Sequence, residues 1–298
     1  MKTKHANWMV IAVMAATLLL ALAPAAALAA AEDPVGTAAL FDVGMGARAL
    51  GMGGAFVAVA NDANALYYNP AGLALIEDHD VTSMYSTLFG AGNYFGAGYA
   101  QKNIGAAVFG LLSTATGTDE YGNPTEEFGY REGTLAGGYA HAFGPFALGG
   151  AVKLYAQDAS ANRGFGATGD IGALITLPYL DGIRFGAVAR NLIGAVKFQS
   201  GHTDNFDQSY VLGLSVRPLK GFMVAADYDI THSIGRVGVE YQIIDAFAAR
   251  AGATMDADKQ WGFTAGAGFA LAGFRVDYAY QFHTELPDSH WVSLGYSF

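Results

Sequence analysis

From Asp80 to the C-terminal Phe298, apolar residues recur at every second position in run after run. One stretch sets Phe222, Val224, Ala226, Tyr228 and Ile230 against Asp227, Asp229 and Thr231. In the next, Val237, Val239, Tyr241 and Ile243 oppose Arg236, Glu240 and Gln242, and later Phe274, Val276, Tyr278, Tyr280 and Phe282 oppose Arg275, Asp277, Gln281 and His283. A period of two belongs to a strand with unlike faces. The segments read this way are 80–89, 93–102, 104–116, 132–143, 146–159, 166–179, 183–192, 209–218, 222–231, 234–243, 247–256, 260–271, 273–284 and 290–298. Most approach the roughly 9 to 11 residues with which a tilted strand crosses a bilayer, and their number is even. A soluble sandwich alternates too, but with a more charged polar face and a less aromatic apolar one. The expected fold is therefore all-β, a transmembrane antiparallel β-barrel of about 14 strands with lipid outside and a polar interior.

The connections alternate in length, which tests the strand count independently. Gln101–Asn103, Gly144-Pro145, Leu180–Gly182, Pro218–Gly221, Ile244–Ala246 and Leu271–Gly273 are tight, as periplasmic turns are. The longest connections, 117–131, 160–165 and 193–208, fall on the opposite, extracellular parity. The chain ends HWVSLGYSF, with Val292, Leu294, Tyr296 and Phe298 on one face. Leu294, Tyr296 and the terminal aromatic Phe298 resemble the C-terminal signal read by the outer-membrane barrel assembly machinery, a partner this ending implies.

At the other end Lys2 and Lys4 precede an apolar run from Met9 to Ala23 and the triplet Ala27-Leu28-Ala29. That is the layout of a secretory signal peptide, expected over residues 1–31. Beyond it no apolar run is long enough to cross a bilayer as a helix, although 52% of residues are hydrophobic and only 14% charged. Removing Lys2 and Lys4 leaves 14 basic against 26 acidic residues, a net charge of −12, which argues against nucleic acid as a partner. With no cysteine there is neither a disulfide framework nor a thiolate metal site.

Between leader and barrel, residues 32–79 contain the densest glycine and small-residue stretch, Gly44 to Leu73. Its glycines permit close backbone approach, and Leu50, Phe56, Val57, Leu66 and Tyr67 make it too apolar to remain solvated, so it reads as a compact segment packed inside something else. Asn69-Pro70 is a forced turn, because proline fixes its own φ and moves the preceding residue out of the helical region. The order GARALGMGGAFVA followed by NDANALYYNPAGL resembles the N-terminal signature of FadL-like outer-membrane proteins, in particular the PorV/PorQ branch. The resemblance implies a fourteen-stranded barrel of a Gram-negative outer membrane. Residues 32–79 would fold back into it as a lumenal hatch ahead of the barrel, 80–298. Gly51, Gly53, Gly54, Asp62, Asn69, Pro70 and Ala71 would be the hatch motif, with the Asn-Pro-Ala turn placed where hatch meets first strand.

Candidate chemistry is sparse. Arg184, Arg190, Arg217, Arg236, Arg250 and Arg275 share the inward parity with Asp227, Asp229, Glu240 and Asp277, a lumenal charge network able to pair across strands. It suits bracing of the wall and docking of the hatch, or selectivity for charged solutes. His202, His232, His283 and His290 fall towards the extracellular end near Asp204, Glu285 and Asp288, but no nucleophile motif and no metal-ligand spacing is present, so neither catalysis nor a metal or cofactor is expected. Beside a purely structural role in the envelope, two functions are open. The resemblance implies a channel that binds and translocates hydrophobic or amphipathic small molecules, with outer-membrane lipids around it. Glycines such as Gly96, Gly98, Gly137, Gly138, Gly149 and Gly150 would serve either as kinks for a lateral exit or as close-packing positions. The other function is that of PorV-like members, a docking component for exported proteins in a type IX secretion apparatus, with Tyr121, Phe128, Tyr130 and Phe206 of the long loops as anchors.

Overall fold

The computed structural model describes residues 38–88, 92–159, 162–177, 182–283 and 287–298. The expected signal peptide lies outside these residues. The strands are β1 Asp80–Leu88, β2 Gly92–Gln101, β3 Ile104–Thr118, β4 Pro124–Phe143, β5 Phe146–Ala159, β6 Asn162–Thr176, β7 Ile183–Arg190, β8 Ala195–Phe198, β9 Thr203–Asn205, β10 Ser209–Leu219, β11 Phe222–Asp229, β12 Ile234–Ile244, β13 Phe247–Met255, β14 Trp261–Leu271, β15 Phe274–Phe282 and β16 Ser289–Ser297. Strands β1–β7 and β10–β16 pair antiparallel with their neighbours; β1 pairs with β16 and β6 with β7, so fourteen strands close into a barrel. Closure removes the exposed ladder edges that an open sheet would carry into lipid.

Alternation is what the strands obey. β1 is buried and exposed at strictly alternate positions, and so is almost all of β2. The exposed rows are apolar or aromatic, as in Leu135, Tyr139 and Phe143 of β4 or Phe274, Val276 and Tyr278 of β15. The inward rows hold glycine, alanine, serine and charge, with large rings such as Tyr94, Phe109, Tyr155 and Trp291 among them. At one end the strands join through two-residue turns at 102–103, 144–145, 220–221, 245–246 and 272–273. Ala272 and Gly273 both take positive φ (51° and 85°), the backbone twist that two-residue hairpins favour. The opposite end carries the longer connections.

Two of the expected long loops are mostly strand. β3 and β4 run on to leave a tip of only 119–123, and β6 begins at Asn162. The third, 193–208, contains the small hairpin β8–β9, whose β8 pairs with Gly164–Gly166 of β6. These extensions stand above the apolar band, where both strand faces are wet and the hydrophobic contrast vanishes.

Residues 38–79 occupy the lumen. They comprise two short 3-10 turns, Ala39–Phe41 and Pro70–Leu75, and two single-turn helices, α1 Ala47–Leu50 and α2 Ala65–Tyr68. Helices this short are not stable by themselves. Enclosure holds them: Leu40, Met45, Met52, Phe56, Val59 and Leu73 are all fully buried, and they form one cluster with wall residues such as Tyr94, Phe109, Tyr155 and Trp291. Asn69 is extended, φ −160°, as the following proline requires. The Asn-Pro-Ala turn does not meet the first strand, however. It lies ten residues before β1 and against β5 and β6, where the Asn69 side chain donates to the Ala173 carbonyl and ideal Cβ atoms on Gly149 and Gly172 would strike Pro70 and Asn69.

Candidate functional site

The inner segment is stitched to the wall around its circumference, largely by backbone amides, most of which such short helices leave without a partner inside the segment. Leu40 N donates to Glu132 Oε2 (3.1 Å), Ala47 N to Ser293 Oγ (2.8 Å), Gly53 N to Thr264 Oγ1 (3.0 Å) and Ala63 N to Asp80 Oδ1 (2.8 Å). Phe56 N and Val57 N both donate to Asp227 Oδ2 (2.7 and 2.9 Å). Between these bonds the backbone rests directly on wall glycines. A Cβ on Gly186 would lie 2.7 Å from Val57 O, and one on Gly252 would overlap Gly53 N. Gly96 and Gly98 face Met45, Gly138 faces Leu66, and Gly149 faces Pro70, whereas a Cβ on Gly137 would meet nothing. At these four wall positions the glycines are seats for the segment.

Arg48 of α1 is the segment's ionic anchor. Its Nε and Nη2 grip Glu240 in a fork, both at 2.9 Å, and its Nη1 reaches Asn61 (2.9 Å) and Asp62 (3.1 Å). Asp62 also caps Asn64 N. Glu240 is shared with Arg250 (2.7 Å), which continues to Asp277 (2.7 Å), and a separate pair joins Arg275 to Asp80 (2.6 Å). The remaining inward charges do not form one ladder. Arg184 donates to Val59 O and Arg190 to Tyr68 O. Asp229 bonds Ser209. Asp227 stands directly opposite Arg236 in register yet gives one oxygen to the segment's amides, while Arg236 lies beside Gly54. Arg217 sits against Gly182 at the tight-turn end. Leu294, Tyr296 and Phe298 face outward, and His79 and Phe298 exchange both backbone hydrogen bonds.

Sequence reasoning found Asp62 and the wall charges but not Arg48, Glu132 or Asp80, each of which carries a bond to or from the segment. A single arginine among glycines and alanines has no spacing partner to reveal it. Inward parity alone was available for Glu132 and Asp80.

Above the segment lies a cavity of about 590 Å3. Its floor includes Phe41, Tyr67 and Tyr68, and its walls carry Arg190, Arg236 and Trp261. Asp207, His232, Gln260 and His283 set its mouth among the longer connections. The volume falls in the range of small-molecule pockets. Burial pushes the Tyr67 phenol far above its ordinary value and that of Tyr68 up to about 12, so both stay neutral; Tyr67 donates to Phe41 O and accepts from Gly44 N. Burial, then the charge of Asp207, raises Asp42.

The four candidate histidines are not brought together. His202 pairs with Asp204 on the β8–β9 hairpin, His290 meets Tyr278 on the outer face, and His283 donates its backbone N–H to Asp288; Glu285 lies outside the described residues. Among the described residues no group of three or more His, Cys, Asp or Glu could hold a metal. His232 and His283 both line the cavity, and His232 sets Nε2 2.6 Å from Asp207 and Nδ1 3.2 Å from Asp229. Hydrogen bonding to Asp207, then to Asp229, raises its pKa to about 10. The stabilisation from this raised pKa is full below the ordinary 6.5 and is lost as pH rises through about 10. Histidine-selective NMR should therefore place the His232 midpoint near 10, and a midpoint at the ordinary value would show that the two loops are not tied.

No protein-family model matches the chain, and no curated protein matches it significantly in sequence. Solved structures do match. The CymD monoaromatic hydrocarbon channel superposes with a TM-score of 0.61 over 86% of this chain and 98% of its own, at 15% identity. The Pseudomonas putida toluene transporter TodX gives 0.59 over 86% and 99% at 14% identity, and a Pseudomonas aeruginosa FadL homologue 0.56 over 81% and 95% at 11%. At such identities the likeness shows the fold alone. The chain is a plugged fourteen-stranded β-barrel of FadL-like fold.

Proposed function

We propose that this protein is an outer-membrane channel of a Gram-negative bacterium that binds hydrophobic or amphipathic small molecules in the cavity above the inner segment and passes them on when that segment, acting as a hatch, shifts. The carrying observation is the cavity of about 590 Å3 floored by the aromatic side chains of a segment that contacts wall strands on every side. The longer connections then face the outside, residues 1–31 act as the export signal, and Phe298 serves the assembly machinery. The structural neighbours named as hydrocarbon and toluene channels support this reading at the level of fold.

The docking reading attached to the PorV/PorQ branch is weakened on its own anchors. Phe206 is buried at 4% exposure, and Phe128 and Tyr130 are half-buried in the inward row of β4, which leaves Tyr121, at 81%, free to meet a partner.

Because the chain lacks cysteine, an Ala47→Cys, Ser293→Cys pair, where Ala47 N donates to Ser293 Oγ (2.8 Å), introduces a single thiol pair for cross-linking hatch to wall. Oxidised protein in liposomes should take up radiolabelled toluene or a long-chain fatty acid at least about ten-fold more slowly than the reduced form, since a covalent link removes the undocked population. Equal uptake would overturn the gating role, and co-purification of an exported protein with an empty cavity would favour docking.

A further inference from the structure

Phe206 is a large ring delivered to the lumen by a connection rather than by the wall or the hatch. It is 4% exposed and packs against Phe41 of the hatch (5.8 Å) and, edge-on, Tyr155 of β5 (5.7 Å, 87°). The tip of its ring rests on Gly166 of β6, where a Cβ would come within 2.9 Å of Cζ. Phe109 completes the box by meeting Phe41 at 6.1 Å. These are the offset and edge contacts by which any benzene ring is held.

The chain carrying Phe206 is weakly attached. β9 pairs with β8 alone, and the sheet order ends there, so its other edge has no strand. Residues 207 and 208 are held by side chains: Asn191 Nδ2 donates to Asp207 O (2.7 Å), His232 meets the Asp207 carboxylate (2.6 Å), and Gln208 donates to Leu192 O (3.0 Å). Gly201, at φ 88°, supplies the turn between β8 and β9. Phe41 lines the cavity above, and so does Asp207, the next residue after Phe206. A ring leaving this box, or entering it, therefore passes directly to or from that cavity.

We infer that the box of Phe41, Phe109, Tyr155 and Gly166 is a second binding site, for a neutral arene the size of a phenyl group, and that Phe206 occupies it as a built-in competitor. An incoming ring displaces Phe206 and swings β9 outward, and Phe206 returns when the ring leaves. Lys153 Nζ stands over the face of Phe41, 4.3 Å from the ring centroid, a cation–π contact that an incoming arene can share. The inference rests on the channel reading of the preceding section.

Toluene is the probe, used on the full-length protein in detergent. Saturating toluene should speed hydrogen–deuterium exchange over β9 and the residues following it, 203–208, and leave β13 and β14 unchanged. Phe206→Ala, which removes the competitor, should bind toluene about ten-fold more tightly than wild type by calorimetry, because less of the empty-site population is lost to self-occupancy. If toluene binds wild type while exchange over 203–208 stays the same or slows, displacement is overturned and the channel reading stands. Equal affinity of Phe206→Ala and wild type overturns the site as well. No toluene binding by either protein also overturns it, and the hatch-locking assay then judges the channel reading separately. If the alanine variant does not fold, the exchange measurement on wild type decides.

Discussion

Glu240→Ala is expected to undock the hatch while leaving the barrel assembled. Glu240 is the carboxylate between two guanidinium groups, one on the hatch and one on the wall, and it accepts three of their hydrogen bonds. Its removal leaves Arg250, with a side chain only 6% exposed, and Arg48, at 18%, facing each other with Asp62 and Asp277 as their remaining carboxylates. Breaking a buried ion pair from one side costs about 3–5 kcal/mol, because the partner charge stays buried without compensation. That loss falls on the contact between hatch and wall, so the docked-to-undocked ratio should drop by roughly 10²–10⁴. The barrel is closed by continuous backbone ladders in which Glu240 takes part only through its main chain. Planar-bilayer recordings should accordingly show frequent openings in the variant, with the folded band on an unboiled gel retained. A variant as quiet as wild type would mean that Arg48 does not anchor the hatch.

A larger disruption of the same interface is expected from Gly252→Val on β13. A Cβ there would overlap the Gly53 amide and stand 2.6 Å from the Thr264 hydroxyl that this amide bonds. Gly53 and Gly54 already sit at positive φ, 66° and 75°, so the turn has little freedom to slide aside. Ordinary overpacking costs about 1–3 kcal/mol. Here the obstructed atoms are backbone, and the hatch must lift from β12, β13 and β14 together. Dye-loaded liposomes carrying Gly252→Val should leak steadily. Gly137→Val is the control: it lies on the wall where a Cβ would meet nothing, and it should remain sealed. Equal sealing in both would show that the hatch is not seated on the wall through its glycines.

Much of the wall was legible because lipid outside and a packed lumen inside impose opposite demands on successive residues. Where that contrast holds, as in β11, β12 and β15, strand and face follow from the residues alone. It fails above the apolar band. Pro124 to Arg131 of β4 read as loop, since Pro124, Glu126 and Glu127 carry no apolar stripe, and 193–208 hid a hairpin for the same reason. Parity could place Arg250, Asp277 and Glu240 on one face but could not choose among partners. Register sets Asp227 opposite Arg236, and only the approach of Phe56 and Val57 explains why the carboxylate turns to amides instead. The glycines were visible as a set, while their purpose depends on a hatch segment remote in sequence, as Gly186 depends on Val57 and Gly252 on Gly53.

The pairing of Phe298 with His79 sets the order in which this chain can fold. β1 has no second neighbour until β16 exists, and the bonds from Ala47 to Ser293 and from Gly53 to Thr264 span 246 and 211 residues. Contacts of such separation form late, since the loop entropy they close must be met first. The Asn-Pro-Ala half of the hatch can settle on β4–β6 as those strands form, whereas its Arg48 and Gly53 half must wait for the last strands, so the two halves of one plug dock at opposite ends of synthesis.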